Sequence, residues 1–115
     1  VAPTTTDARC AQIAASCSGY LYYVSLKGVT GAALLDSESV RLNIERLRGM
    51  TQLPIVIGFG IKDADSAKAM GALADGVIIG SALVERVAEL GSSSAAEVTA
   101  STAVIREARA ALEQL

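Results

Sequence analysis

The sequence predicts a parallel α/β fold, and three observations carry that reading. Tyr20–Ser25, Ile55–Ile57 and Val77–Ile79 are continuous runs of β-formers without polar alternation, the pattern of strands covered on both faces. Segments with apolar residues at helical spacing separate them, and successive strand starts fall roughly 20–35 residues apart, as βαβ units require. The second and third runs pass directly into glycine turns, Gly58-Phe59-Gly60 and Gly80-Ser81, that open the next helix. Parallel crossovers are right-handed, which leaves a barrel segment or a doubly wound sheet.

Each element follows from local chemistry. Thr5 or Thr6 caps a first helix with Asp7 in its first turn, and Cys10, Ile13, Ala14 and Cys17 form its apolar side. Ser18-Gly19 ends it before the tyrosine-rich strand. Leu26–Ala33 reads as a loop with two glycines, Gly28 and Gly31. A second helix starts near Ser37, with Val40, Ile44 and Leu47 inside, Arg41, Glu45, Arg46 and Arg48 outside, and Gly49 as its stop. Pro54 precedes the second strand. Asp63 or Asp65 caps a third helix whose inner side is Ala67, Met70, Ala72 and Leu73, and Asp75-Gly76 makes its exit turn. Gly80-Ser81 opens a helix with Leu83, Val84, Val87 and Leu90 apolar. After the polar break 91–94, one last helix runs to about Leu115, with Val98, Ile105 and Leu112 beside Val104, Ala108, Ala111 and Leu115, a wide face expected to pack flat.

Composition narrows the chemistry. At 115 residues the length fits one small domain, and 51% hydrophobic residues with 19% charged ones fit a chain that buries a core. Aromatics contribute only 3%, so the core is built from Ala, Val, Leu and Ile. A net charge of −2 argues against nucleic acid, whose binding draws on Lys and Arg. No apolar run reaches the ~18 residues of a membrane span, and the start at Val1 carries neither a signal h-region nor a basic n-region. There is no His, which excludes triad hydrolases, imidazole-bound zinc and histidine shuttles. Cys10 and Cys17, about 10 Å apart at 1.5 Å per residue on one helix, are too far apart for a disulfide. They read as buried or half-buried thiols of a reducing compartment, with no metal site expected.

In parallel α/β proteins chemistry sits at the carboxyl ends of strands. A phosphate needs backbone N–H donors approached without Cβ obstruction, and a helix N-terminus aimed at it. Gly60, Gly80 and Ser81 offer that, although the same glycines also serve for tight strand-to-helix turns. Gly58-Phe59-Gly60-Ile61-Lys62-Asp63 lacks the third glycine of a dinucleotide fingerprint. Gly28-Val29-Thr30-Gly31 suits either a loop that closes over a ligand or a surface turn. The carboxylates fall almost entirely at caps or on solvent faces, so no catalytic acid or base is evident.

Taken in order, Tyr22-Tyr23-Val24-Ser25, Gly28-Val29-Thr30-Gly31, Leu53-Pro54, Gly58-Phe59-Gly60-Ile61 and the run Ala74 to Val84 resemble the tryptophan synthase alpha chain family. The resemblance runs essentially the whole length. It implies a (β/α)8 TIM barrel, of which residues 1–115 are a single C-terminal segment from the end of strand five, at Val1-Ala2-Pro3, through strand eight and the last helix. It also implies a cytoplasmic lyase of tryptophan biosynthesis that cleaves indole-3-glycerol phosphate, by a retro-aldol reaction, to indole and glyceraldehyde 3-phosphate. On that basis Gly31, Gly60, Gly80 and Ser81 bind the substrate phosphate, Tyr22 and Phe59 line the indole end, and Gly28 and Thr30 belong to the closing loop, where Thr30 contacts a catalytic Asp. The alpha chain itself uses no cofactor; its partner in an α2β2 assembly is a beta chain that carries pyridoxal phosphate. The family's catalytic Glu and Asp lie upstream of Val1, so the chain alone is expected to be inactive. Two other readings stay open: a non-catalytic half-barrel that binds phosphate or self-associates, and another phosphate-binding barrel such as indole-glycerol-phosphate synthase or an FMN-dependent oxidoreductase.

Overall fold

The computed structural model describes residues 1–25, 37–91 and 94–115. Strands β1 (Leu21–Val24), β2 (Ile55–Gly58) and β3 (Gly76–Ile78) form one sheet in the order β1-β2-β3, every pair parallel. In register, Tyr22 lies beside Val56 and Val56 beside Gly76, while Val24, Gly58 and Ile78 form the row nearest the carboxyl ends. On the free side of β1, the Val1 amino group donates to Tyr22 O and Val24 N donates to Val1 O, both at 2.8 Å. This is the bonding of a parallel neighbour placed beside Tyr23.

The helices are α1 (Asp7–Ser16), α2 (Ser37–Arg48), α3 (Ala64–Gly71), α4 (Ser81–Ala88), α5 (Ala95–Ser101) and α6 (Ala103–Leu112). Thr6 caps α1, its hydroxyl accepting from Arg9 N, and Asp63 caps α3 in a reciprocal box with Ser66. Leu21, Tyr23, Ile55 and Ile57 point to one face of the sheet and pack with Cys10, Val40, Ile44, Leu47, Ala67 and Met70 of α1, α2 and α3. By area alone, full burial of each such aliphatic side chain is worth about 1.5–3 kcal/mol. Helix α6 lies along α3 and buries Val104, Ala108 and Ala111.

Several expectations need correction. The first strand is not covered on both faces: Leu21 and Tyr23 are buried, whereas Tyr22 and Val24, on the other face, are half-buried. Strand β3 starts one residue earlier than expected, because Gly76 already pairs with Val56. The last helix is two. Ser101 and Thr102 turn their hydroxyls back onto Val98 O, at 2.9 and 3.1 Å, and such competition with the backbone breaks the run at Thr102. Its apolar residues therefore do not form one flat face: Val98, Ile105 and Leu115 are exposed. Ala72, placed inside from periodicity, is exposed just past the end of α3. On α4 the apolar stripe is open, with Val84 and Val87 65% and 48% exposed. Cys17 is the C-cap of α1 rather than part of it, and both thiols are free, Cys10 buried and Cys17 half-buried. The segment Gly28–Gly31 lies outside the described residues.

Candidate functional site

The carboxyl end of β2 makes an uncommon turn. Phe59 and Gly60 follow each other in the left-handed region, at φ 79° and 76°. Glycine adopts that conformation freely, but in a Cβ-bearing aromatic residue it costs of order 1–3 kcal/mol and persists only where neighbours impose it. Ser25, just past β1, is such a neighbour. Its hydroxyl lies 2.9 Å from both Gly58 O and Phe59 O, and its N–H donates to Gly58 O at 3.2 Å. The turn leaves Phe59 60% exposed, beside the sheet end.

Gly58 has a second reason to be glycine. A Cβ built there would lie 1.9 Å from the Tyr22 Oη and 2.4 Å from Cζ. The phenol of Tyr22 thus crosses from β1 onto the bare backbone of β2 and forms a floor over it.

At the end of β3, Gly80 is the N-cap of α4, with no side-chain cap and no acidic residue in the first turn. Leu83 N and Val84 N return to Gly80 O, at 2.9 and 3.1 Å. The N–H groups of Ser81 and Ala82 have no acceptor within the helix, and the positive end of the helix dipole is not offset by a carboxylate in the first turn. By contrast, α1, α3 and α5 each carry both devices: Thr6, Asp63 and Ser94 as caps, Asp7, Asp65 and Glu97 in the first turns.

These two turns and the tyrosine meet. Tyr22, Phe59, Gly60, Ile61, Ile78, Gly80 and Ser81 line one pocket of about 220 Å³ at the carboxyl ends of the strands. All five described residues expected from the sequence to form a site are among them. One side is apolar, from Tyr22, Phe59, Ile61 and Ile78; the other is a helix start suited to an anion. Among the described residues, no carboxylate lines it. Gly28, Thr30 and Gly31 fall outside the described residues. The sequence reading missed Ser25, Ile61 and Ile78 as parts of this region. Ser25 stands where alternation places an inward apolar residue after Leu21 and Tyr23, and that mismatch was the available signal.

The opposite end of the sheet is held differently. Asp75 Oδ2 accepts from Ile55 N at 2.8 Å, Asp75 N donates to Ile55 O at 2.9 Å, and Arg48 lies 3.3 Å from Oδ1. The hydrogen bond from Ile55 N, followed by the Arg48 charge, holds the Asp75 carboxyl below its ordinary range. Arg48, Thr51, Gln52, Leu53, Pro54 and Asp75 line a second hollow there, of about 290 Å³. Among the described residues no cluster of three or more Cys, Asp or Glu is placed to hold a metal ion. None of their helices is long and apolar enough to cross a membrane.

Parallel strands each followed by a helix, with a pocket at their carboxyl ends, define a parallel α/β protein whose ligand site is built from strand-to-helix turns. The family model for the tryptophan synthase alpha chain matches residues 1–113, and the chain belongs to that family. It is 52% identical over 115 residues to the tryptophan synthase alpha chain of Acinetobacter baumannii and 46% identical over 119 residues to that of Psychrobacter arcticus. The whole chain is covered in both cases, but only 42% and 43% of the relatives, so it spans about two fifths of their length. Among solved structures, the tryptophan synthase alpha chain of Legionella pneumophila superposes with a TM-score of 0.77 at 30% identity, covering 100% of this chain and 41% of that one. A tryptophan synthase chain from M. tuberculosis gives 0.75 at 25%, covering 97% and 38%. Of the two architectures left open by the sequence, this is the barrel segment, a part of a (β/α)8 TIM barrel.

Proposed function

We propose that this chain supplies the phosphate-holding and indole-facing part of a lyase that cleaves indole-3-glycerol phosphate to indole and glyceraldehyde 3-phosphate. One observation carries the reading: a single pocket joins an apolar wall, Tyr22 and Phe59, to an uncapped helix start at Gly80 and Ser81. A substrate with a flat aromatic ring at one end and a phosphate at the other has that same division. Gly60, Gly80 and Ser81, with Gly31, bind the phosphate through backbone N–H groups, and Ser81 adds its hydroxyl. Gly28 and Thr30 belong to the loop that closes over it.

The reaction breaks the bond between the indole ring and the glycerol chain. A general acid delivers a proton to the ring carbon, and a general base takes the proton of the adjacent hydroxyl as the aldehyde forms. Among the described residues, no carboxylate lines the pocket for either step. The catalytic Glu and Asp are therefore assigned outside residues 1–115, which form the C-terminal segment of the barrel domain, and the segment alone is inert. The whole enzyme is assigned to the cytoplasm, with no cofactor of its own and with a pyridoxal-phosphate-bearing beta chain as its partner.

The test has two arms on the 115-residue chain. Titration with indole-3-glycerol phosphate should perturb the amides of Gly60, Gly80 and Ser81, and a titration that leaves all three unmoved overturns the binding assignment. Incubation with the same compound should release no indole, and sustained turnover overturns the assignment of both carboxylates outside the chain.

A further inference from the structure

The row Leu21, Tyr23, Ser25 points to the helix-facing side of the sheet, where the first two are buried apolar residues and the third is a hydroxyl only 9% exposed. A hydroxyl in that row gains nothing from apolar burial and needs partners to offset its desolvation. It has two, the carbonyls of Gly58 and Phe59, both at 2.9 Å. Those carbonyls flank the residue whose backbone is least at ease, Phe59 at φ 79°. If the Phe59 peptide relaxed toward an ordinary extended conformation, the carbonyls would turn and the shared proton would lose at least one acceptor.

We propose that Ser25 is a positioning residue for the pocket: its hydroxyl, bound to Gly58 O and Phe59 O, holds the left-handed Phe59–Gly60 turn in its ligand-receiving form. The residue touches no ligand. It fixes two lining residues, the Phe59 ring and the Gly60 N–H, from the far side of the strand. This rests on the proposed ligand site for its purpose, but the turn can be read without any ligand.

The experiment uses the 115-residue chain labelled with ¹⁵N, unaltered and as Ser25→Ala, with Ser25→Thr and Ser25→Val as a nearly isosteric pair that differs in the hydroxyl. The first readout is the amide order parameter of Phe59 and Gly60 without ligand; the second is titration with inorganic phosphate followed at Gly60, Gly80 and Ser81. The unaltered chain and Ser25→Thr should show order parameters near about 0.85, and Ser25→Ala and Ser25→Val below about 0.6 at these two residues alone. Phosphate affinity should fall about tenfold in Ser25→Ala, with Gly80 and Ser81 still responding. If Ser25→Ala does not fold, the Thr and Val pair makes the same comparison. Equal order at Phe59 and Gly60 with and without the hydroxyl overturns the proposal. Order that depends on the hydroxyl in a chain that ignores phosphate sustains it, and overturns the phosphate assignment instead.

Discussion

Adding one methyl group to Gly58 tests how the pocket floor is built. The new Cβ of Gly58→Ala would lie 1.9 Å from Tyr22 Oη, 2.4 Å from Cζ and 2.8 Å from Cε2. Ordinary carbon contacts begin at about 3.5 Å, so the phenol must withdraw by more than about 1 Å. The sheet cannot yield, because Ile57 beside Gly58 is locked in the core and Ser25 bonds the Gly58 carbonyl. The ring must swing toward the pocket, whose volume is only about 220 Å³. Overpacking of this kind costs about 1–3 kcal/mol. A loss of about 2 kcal/mol lowers the urea midpoint by roughly 1 M at a slope of about 2 kcal/mol/M. Tyr22→Ala removes the obstructing ring, so the double variant should be less destabilised than the two single changes added together. A coupling of about 1 kcal/mol or more is expected from the three-variant cycle. Additivity within about 0.5 kcal/mol would refute the reasoning, since the two side chains would then not compete for one space.

Two further outcomes follow from the two ends of the sheet. Gly80→Asp has open space for its side chain and supplies the cap that α4 lacks, so melting should be unchanged or slightly higher while phosphate affinity drops at least tenfold; a parallel change in both would refute the anion role of that turn. Asp75, held below its ordinary range mainly by the Ile55 N–H, stabilises the fold above the unfolded carboxyl value of about 3.9, and this contribution disappears as pH falls from there through the lower folded value. Asp75→Ala should cost about 1–3 kcal/mol at pH 7, because Ile55 N is left without its acceptor, and the loss of stability between pH 5 and pH 2 should be smaller than in the unaltered chain; an unchanged acid dependence in urea unfolding would refute it.

Much of the architecture is legible in local signals. The strand runs, the caps at Thr5 or Thr6 and at Asp63 or Asp65, the Gly49 stop and the glycine turns are each decided within a few residues; the structure keeps these elements, selects Thr6 and Asp63 as the caps and moves the start of β3 by one residue. Five described residues named from the sequence line one pocket because two glycine turns and a tyrosine strand all end on the same side of a parallel sheet. What stays hidden is set across strands. The clearance between Tyr22 and Gly58 depends on the register of β1 against β2, and the bond from Ser25 spans 33 residues to Gly58. The break between α5 and α6 was missed for the opposite reason: hydroxyls at Ser101 and Thr102 reach their own backbone, while the apolar spacing on either side suggests a continuous helix. On α4, periodicity marks Val84 and Val87 as a face but says nothing about whether that face is covered.

The Asp75 clamp sits at one end of the sheet and the Phe59–Gly60 and Gly80–Ser81 turns at the other. Mutational tolerance should divide along the same axis. A library that varies Ile78 and Ser81 reshapes the ligand's surroundings without touching the bonds among Ile55, Asp75 and Arg48 that align the strands. Selection for a differently shaped ligand can therefore explore the upper rim while the lower end keeps the strands in register, and the two searches, for affinity and for stability, can be run on separate sets of residues.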